Sequence, residues 1–180
     1  ETSFSCFEAT SIAHTHGKAI VAAEAFTGAG GTSWLRHPGS MKNQADWAFA
    51  AGITRLVFHR FAHQPWLNVA PGMTMGFYGT QYDRTQTWWE MSGAWHSYLA
   101  RCQFLLRQGV PVADILYLTP EGAPHVFRPP PSALAGSPTL PDRCGYNFDG
   151  CDPATLLERV NVRGGKLVLP DGASYRVLVL

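Results

Sequence analysis

The chain has 180 residues, of which 46% are hydrophobic and 12% aromatic, with a formal net charge of +1 at pH 7. That composition excludes a disordered tail, and the apolar runs fall far short of the roughly 20 residues that cross a bilayer as a helix, so no membrane span is expected. With balanced charge and no Lys/Arg cluster, no nucleic-acid partner is expected either.

Seven histidines and six tryptophans against so few charges suit a pocket better than a charged docking face. The chain opens at Glu1 without an initiator methionine or a signal-peptide pattern, and stops in the apolar "SYRVLVL". Both ends read as cuts within a longer protein, whose export signals would lie elsewhere. The four cysteines are too few for a disulfide scaffold. Cys102 reads as a reduced core thiol. Cys144 and Cys151 flank "GYNFDG", a spacing that leaves a disulfide open.

In chain order, the pattern predicts a helix from Ser5 to His16, ended by Gly17 as the residue after the cap. The strand "AIVAAEAF" follows, then a Gly-rich loop, "TGAGGTSWLRHPG". Ser40 is placed to cap a helix, "MKNQADWAFAA", that ends at Gly52. After the strand "TRLVFHR" comes a loop from Phe61 to Tyr82, long enough to suggest function. Asp83, with Gln86 as capping-box partner, is expected to open a long helix closed by Gly109 and Pro111. The strand "VADILYL" completes an α-β-α-β-α-β order, which argues a parallel sheet with right-handed crossovers. From Thr119 the chain turns Pro-rich and reads as an ordered or semi-rigid linker. A short helix capped by Asp152 with Pro153 in its first turn follows. Two strands joined by a Pro-Asp-Gly turn then open a second α/β unit.

Polar residues collect at the C-terminal ends of the three main strands. The first gives Glu24 and, in its loop, Trp34. The second gives His59, Arg60, His63 and Gln64, and the third gives Glu121. In a parallel α/β barrel that face carries the chemistry. An ionised carboxylate inside an apolar strand costs several kcal/mol unless compensated. Glu24 therefore either pairs with a buried cation such as Arg60 or faces a site. His59 and His63 stand four apart, but the zinc-protease motif needs a helix and a Glu directly after the first His. "HTH" at 14–16 lies at a helix end, where histidine favours the dipole. Trp88, Trp95 and Tyr98 read as core; Trp34 and Trp89 are candidate sugar platforms.

Five strings, "HTHGKAIVAAEAFT", "GITRLVFHRFAHQPW", "PGMTMGFYGT", "DRTQTWWE" and "YLARCQFLLRQGVPVADILYLTPEGAP", resemble the glycoside hydrolase family 106 α-L-rhamnosidases. The resemblance runs from about His14 to Leu180. It implies the last three βα units of a (β/α)8 barrel (1–125), a Pro-rich linker (126–145) and the start of a following α/β domain (146–180). It implies an inverting glycosidase that removes terminal α-L-rhamnose from oligosaccharides or glycosides, with calcium and no organic cofactor. Glu24, on the "AEAFT" strand, maps to one of the two catalytic carboxylates, as general base. The general acid is expected on an earlier strand, outside this chain, so that this stretch alone would not hydrolyse. Periplasmic or secreted placement is expected for the full-length protein.

The chemistry is consistent with those roles. An inverting glycosidase needs a protonated carboxyl for the leaving oxygen and an ionised one to activate water, about 6.5–9.5 Å apart. Trp34 and Trp89 would pack on the sugar's apolar face, with His59, Arg60, His63, Gln64 and Glu121 among the substrate-binding candidates. Two rival readings remain: a metal-dependent hydrolase with His59, His63 and Glu24 as ligands, and a non-catalytic carbohydrate-binding fragment.

Overall fold

The computed structural model of the chain describes residues 4–28, 31–74, 76–122, 126–135 and 142–180. It divides into two compact units. A central unit spans Ala22–Leu106; a terminal unit joins the chain up to Val21 with Arg107–Leu180.

Helix α1 (Phe4–Thr15) forms where the sequence predicts it. Gly17, at φ +65°, turns the chain out of it, and Lys18 N–H reaches back to Ala13 O at 2.8 Å. Strand β1 (Ala22–Ala25) is shorter than the apolar run around it, because Phe26 adopts φ +66° and breaks the extended chain. Helix α2 (Pro38–Ala50) begins earlier than Ser40, with His37 as N-cap and Pro38 in the first turn. Proline suits that turn because its missing N–H would have no intrahelical acceptor there. Ser40 supports the cap from inside the helix: its Oγ accepts from His37 N–H at 3.0 Å.

Strand β2 (Arg55–Phe58) pairs parallel with β1, Glu24 beside Val57 and Ala25 beside Phe58. Exposure alternates as the pleat dictates. Ala22, Glu24, Arg55 and Val57 are exposed, while Ala25 and Leu56 are buried. The long loop from Phe61 to Tyr82 carries no helix or strand among its described residues. The helix expected from Asp83 starts ten residues later, as α3 (Gly93–Leu106), after a single 3-10 turn at Trp89–Met91. Asp83 Oδ1 instead accepts from Thr85 N–H at 2.8 Å, closing a local turn. Gln86 leaves the capping role and donates to Ser33 O at 3.0 Å. Trp88 consequently lies outside the helix, though buried as expected.

In the terminal unit, β3 (Ile115–Leu118) is followed by the short helix α4 (Pro131–Ala135), β4 (Phe148–Cys151) and α5 (Pro153–Arg159). The cap at Asp152 forms, its carboxylate accepting from Thr155 N–H at 2.7 Å. Strands β5 (Asn161–Arg163), β6 (Lys166–Val168) and β7 (Ser174–Tyr175) make an antiparallel sheet. Strand β8 (Val177–Val179) then joins a parallel sheet of order β4-β3-β8. This corrects the expected arrangement: β3 sits between β4 and β8, not in a sheet with β1 and β2. The Pro-rich stretch is ordered where it is described. Phe127, Ser132 and Ala133 are buried, and Ser132 N–H donates to Asp142 at 2.9 Å. Its residues 136–141 lie outside the described set.

Helix α1 is fastened to β4 by polar contacts. His14 Nδ1 lies 2.9 Å from Asp149 Oδ1, Tyr175 O–H donates to Asp149 Oδ2 at 3.0 Å, and Gly150 N–H donates to Ser11 Oγ at 2.9 Å. Burial pushes the Asp149 carboxyl upward, and the hydrogen bond from His14 opposes that rise. No disulfide links the four cysteines; Cys151 is buried, and burial pushes its thiol up to about 11.

Candidate functional site

The site is built on the C-terminal ends of β1 and β2. Glu24 is exposed and stands on the open face of that two-stranded sheet. The opposite face is packed: Phe58 stacks on His96 of α3 at 6.0 Å, and Phe26 meets Phe58 at 5.7 Å and Trp95 at 5.9 Å. Glu24 Oε1 accepts from Thr27 Oγ1 at 2.7 Å. The alternative of a buried pair with Arg60 is not realised: the ion pairs among the described residues are His14–Asp149, Lys42–Asp46 and Arg176–Asp114.

Phe26 turns the chain sharply just past the carboxylate. A bulky residue at positive φ is a genuine outlier, held only where its surroundings over-determine it. Here the ring is 1% exposed within a cluster of Phe58, Tyr82 and Trp95. Tyr82 anchors that cluster: Trp95 Nε1–H donates to its hydroxyl at 3.0 Å, and burial pushes the phenol up to about 12. Burial also lowers the His96 imidazole.

Backbone bonds extend the sheet past β2. His59 N–H donates to Ala25 O at 2.9 Å, Arg60 N–H to Thr80 O at 2.9 Å, and Tyr82 N–H to Arg60 O at 3.0 Å. The loop is thereby drawn back along the strand end. Arg60 is 4% exposed and turned to this loop, Nη2 donating to Tyr78 O at 2.8 Å and to Gly76 O at 3.2 Å. Gln64 spends its amide similarly, donating to Met73 O at 2.7 Å and accepting from Met73 N–H at 3.2 Å. His59 is half-buried, its ring against Gly79. A Cβ there would come within 2.6 Å of Nδ1, and the φ of +86° also favours glycine.

Of the remaining candidates, His63 is exposed on the loop, Trp34 is 41% exposed after β1, and Trp89 is half-buried against Trp88 and His96. Glu121 is exposed and belongs to the terminal unit, because β3 does. The sequence reading missed Thr27, Gln81 and the pair Phe77–Tyr78. Thr27 was legible as a hydroxyl three residues past the acid; the others are defined by contacts distant in sequence.

No group of three or more His, Cys, Asp or Glu side chains able to hold a metal forms among the described residues. Glu24, His59 and His63 therefore do not gather as the ligand set of the metal-dependent rival. Calcium, which takes six to eight oxygens with carboxylates prominent among them, likewise finds no carboxylate cage among these residues. No helix among the described residues is long and apolar enough to cross a membrane.

Comparisons by sequence and by structure both lead to glycosidases. The family model of glycoside hydrolase family 106, described as alpha-L-rhamnosidase, matches residues 3–180. A protein of Formosa agariphila, provisionally named a beta-glucuronidase, is 42% identical over 173 residues, covering 95% of this chain and 14% of that protein. The solved structure of a rhamnosidase from Novosphingobium sp. PP1Y superposes with a TM-score of 0.80 at 32% identity. That match covers 94% of this chain and 16% of the other. The chain thus spans about a seventh of the length of these relatives.

Proposed function

The chain belongs to glycoside hydrolase family 106, and from that premise we propose that it forms the part of an inverting α-L-rhamnosidase that carries the general base, Glu24. One observation carries the reading. Glu24 stands at the C-terminal end of a parallel strand, on the sheet face opposite α3, with the Thr27 hydroxyl donating to its carboxylate. Parallel strands are ordinarily covered on both faces, and in a (β/α)8 barrel the helices take the outer one. On that plan β1 and β2 are staves of a barrel completed by other strands of the protein, and Glu24 points to its interior mouth.

A base at this position accepts a proton from water as the water attacks the anomeric carbon, while an acid on another strand protonates the leaving oxygen. Thr27 donates to one carboxylate oxygen and leaves the other to orient the water. His59, His63, Trp34 and Trp89 are the residues proposed to meet the sugar. Arg60 and Gln64 act through the loop instead, since Arg60 Nη2 and the Gln64 amide bind its backbone. No step is assigned to calcium.

The relatives' names differ in the sugar they imply. The family model, described as alpha-L-rhamnosidase, and the solved rhamnosidase structure favour the rhamnoside. Glu24→Gln in the full-length protein is expected to lower kcat on an α-L-rhamnoside by at least about a hundredfold, the usual share of a general base, with the melting temperature unchanged. Near-normal turnover would refute the assignment.

A further inference from the structure

The loop leaving β2 carries several exposed apolar side chains, Trp66, Phe77 and Tyr78 among them. Phe77 and Tyr78 are 64% and 53% exposed, and their rings meet at 4.6 Å with a tilt of 37°. Their backbone is fastened on both sides. Ser33 Oγ donates to Phe77 O at 3.0 Å, Arg60 Nη2 to Tyr78 O at 2.8 Å, Gly79 N–H to Gly28 O at 2.7 Å, and Thr80 Oγ1 to Phe26 O at 2.8 Å. Phe26, Gly28 and Ser33 all lie in the segment that directly follows Glu24. The pair is therefore exposed yet fixed beside the loop of the proposed base.

That combination favours a small apolar ligand. A fixed aromatic surface loses little freedom on binding. Its negative ring faces attract the polarised C–H bonds of a pyranose and leave the hydroxyl edge to other groups. Two rings are too small to hold a protein, which needs about 800 Å² on each side. We propose that Phe77 and Tyr78 are the stacking platform for a pyranose ring of the substrate, and that Arg60 is the positioning residue that holds the platform in place. This deepens the glycosidase reading of Glu24 and rests on it.

The test uses the full-length protein and an α-L-rhamnosyl disaccharide. Phe77→Ala and Tyr78→Ala are expected to raise KM about tenfold each, the effect of losing one aromatic contact, with kcat held within about twofold. In a Glu24→Gln background, the disaccharide Kd measured by calorimetry should weaken by the same factor when both rings are removed. Arg60→Gln should raise KM comparably, and Tyr78→Ala should then add little, because the two changes remove one feature. Additive effects would overturn the role of Arg60. An unchanged KM and Kd with a lowered melting temperature would overturn the platform, the rings being then covered by another part of the protein. Phe77 and Tyr78 are exposed, so their variants decide the platform whether or not the Arg60 variant folds. Full activity in Glu24→Gln would sink the assignment of Glu24 as base alone, since the KM of the Phe77→Ala and Tyr78→Ala variants still reads the platform.

Discussion

Phe26 offers a test in which two ordinary expectations have opposite signs. Its ring is 1% exposed and its φ is +66°. Truncating a buried Phe to Ala costs about 3–5 kcal/mol, whereas a non-glycine residue in the left-handed region costs roughly 1–2 kcal/mol. The packing gain is the larger, which accounts for a phenylalanine at a position whose backbone suits glycine. Phe26→Ala removes the ring and keeps the strain. Phe26→Gly removes both, at about 0.5–1 kcal/mol of extra unfolded-state entropy. The balance leaves Phe26→Gly more stable than Phe26→Ala by about 0.5–1 kcal/mol, the reverse of the order in a regular strand. All six tryptophans of the chain lie between Trp34 and Trp95, inside the central unit, so in the isolated 180-residue chain tryptophan fluorescence follows that unit alone. Urea titrations should place the glycine variant's midpoint about 0.3 M above the alanine variant's. A midpoint below it would refute the strained turn after Glu24.

Two other buried groups give predictions. Tyr82 is held protonated by burial, its phenol raised from 10 to about 12. The folded state thus keeps a proton that the unfolded chain releases, so this stability is full below pH 10 and is lost as pH rises toward 12. The difference between wild type and Tyr82→Phe in urea midpoint should be flat below pH 10 and shrink above it; a flat difference to pH 12 would contradict the buried phenol. Tyr175→Phe removes a donor from Asp149, which is 1% exposed. A loss of about 1–3 kcal/mol is expected by circular dichroism in urea, and an unchanged midpoint would show that Asp149 does not depend on that bond.

What was legible in the sequence is what local chemistry decides. The end of α1 at Gly17, the cap of α5 at Asp152 and the turn at Gly172 need no distant partner. The start of α3 was misplaced because Asp83 and Gln86 carry a capping pattern that tertiary contacts redirect, Gln86 to Ser33 O. Strand β4 was invisible because "FDGC" contains an Asp and a Gly, both poor strand formers. Its Gly150 is needed because the Phe127 ring lies 2.4 Å from where a Cβ would be, and its Asp149 because His14 and Tyr175 complete it. Glu24 could be read as a site residue from its misfit in an apolar run. The loop carbonyls that Arg60 Nη2 donates to could not be read, since they lie 16 and 18 residues away in an irregular loop.

The two units treat buried polarity differently, and the difference bears on function. Asp149 in the terminal unit is enclosed with partners on both oxygens, the state expected of a structural group. In the central unit His59 Nδ1, Arg60 Nη1 and both side-chain polar atoms of Gln81 are buried without a protein partner among the described residues. Each such group costs about 1–3 kcal/mol. They sit on the two strand-like segments joined by the Arg60–Thr80 and Tyr82–Arg60 bonds, at the same end of the sheet as Glu24 and the strained Phe26. A domain with only about 5–15 kcal/mol of net stability carries such costs where something other than stability has selected them. Strain and unmet polarity converge on the β1–β2 end, which is where a glycosidase of this architecture would keep its chemistry.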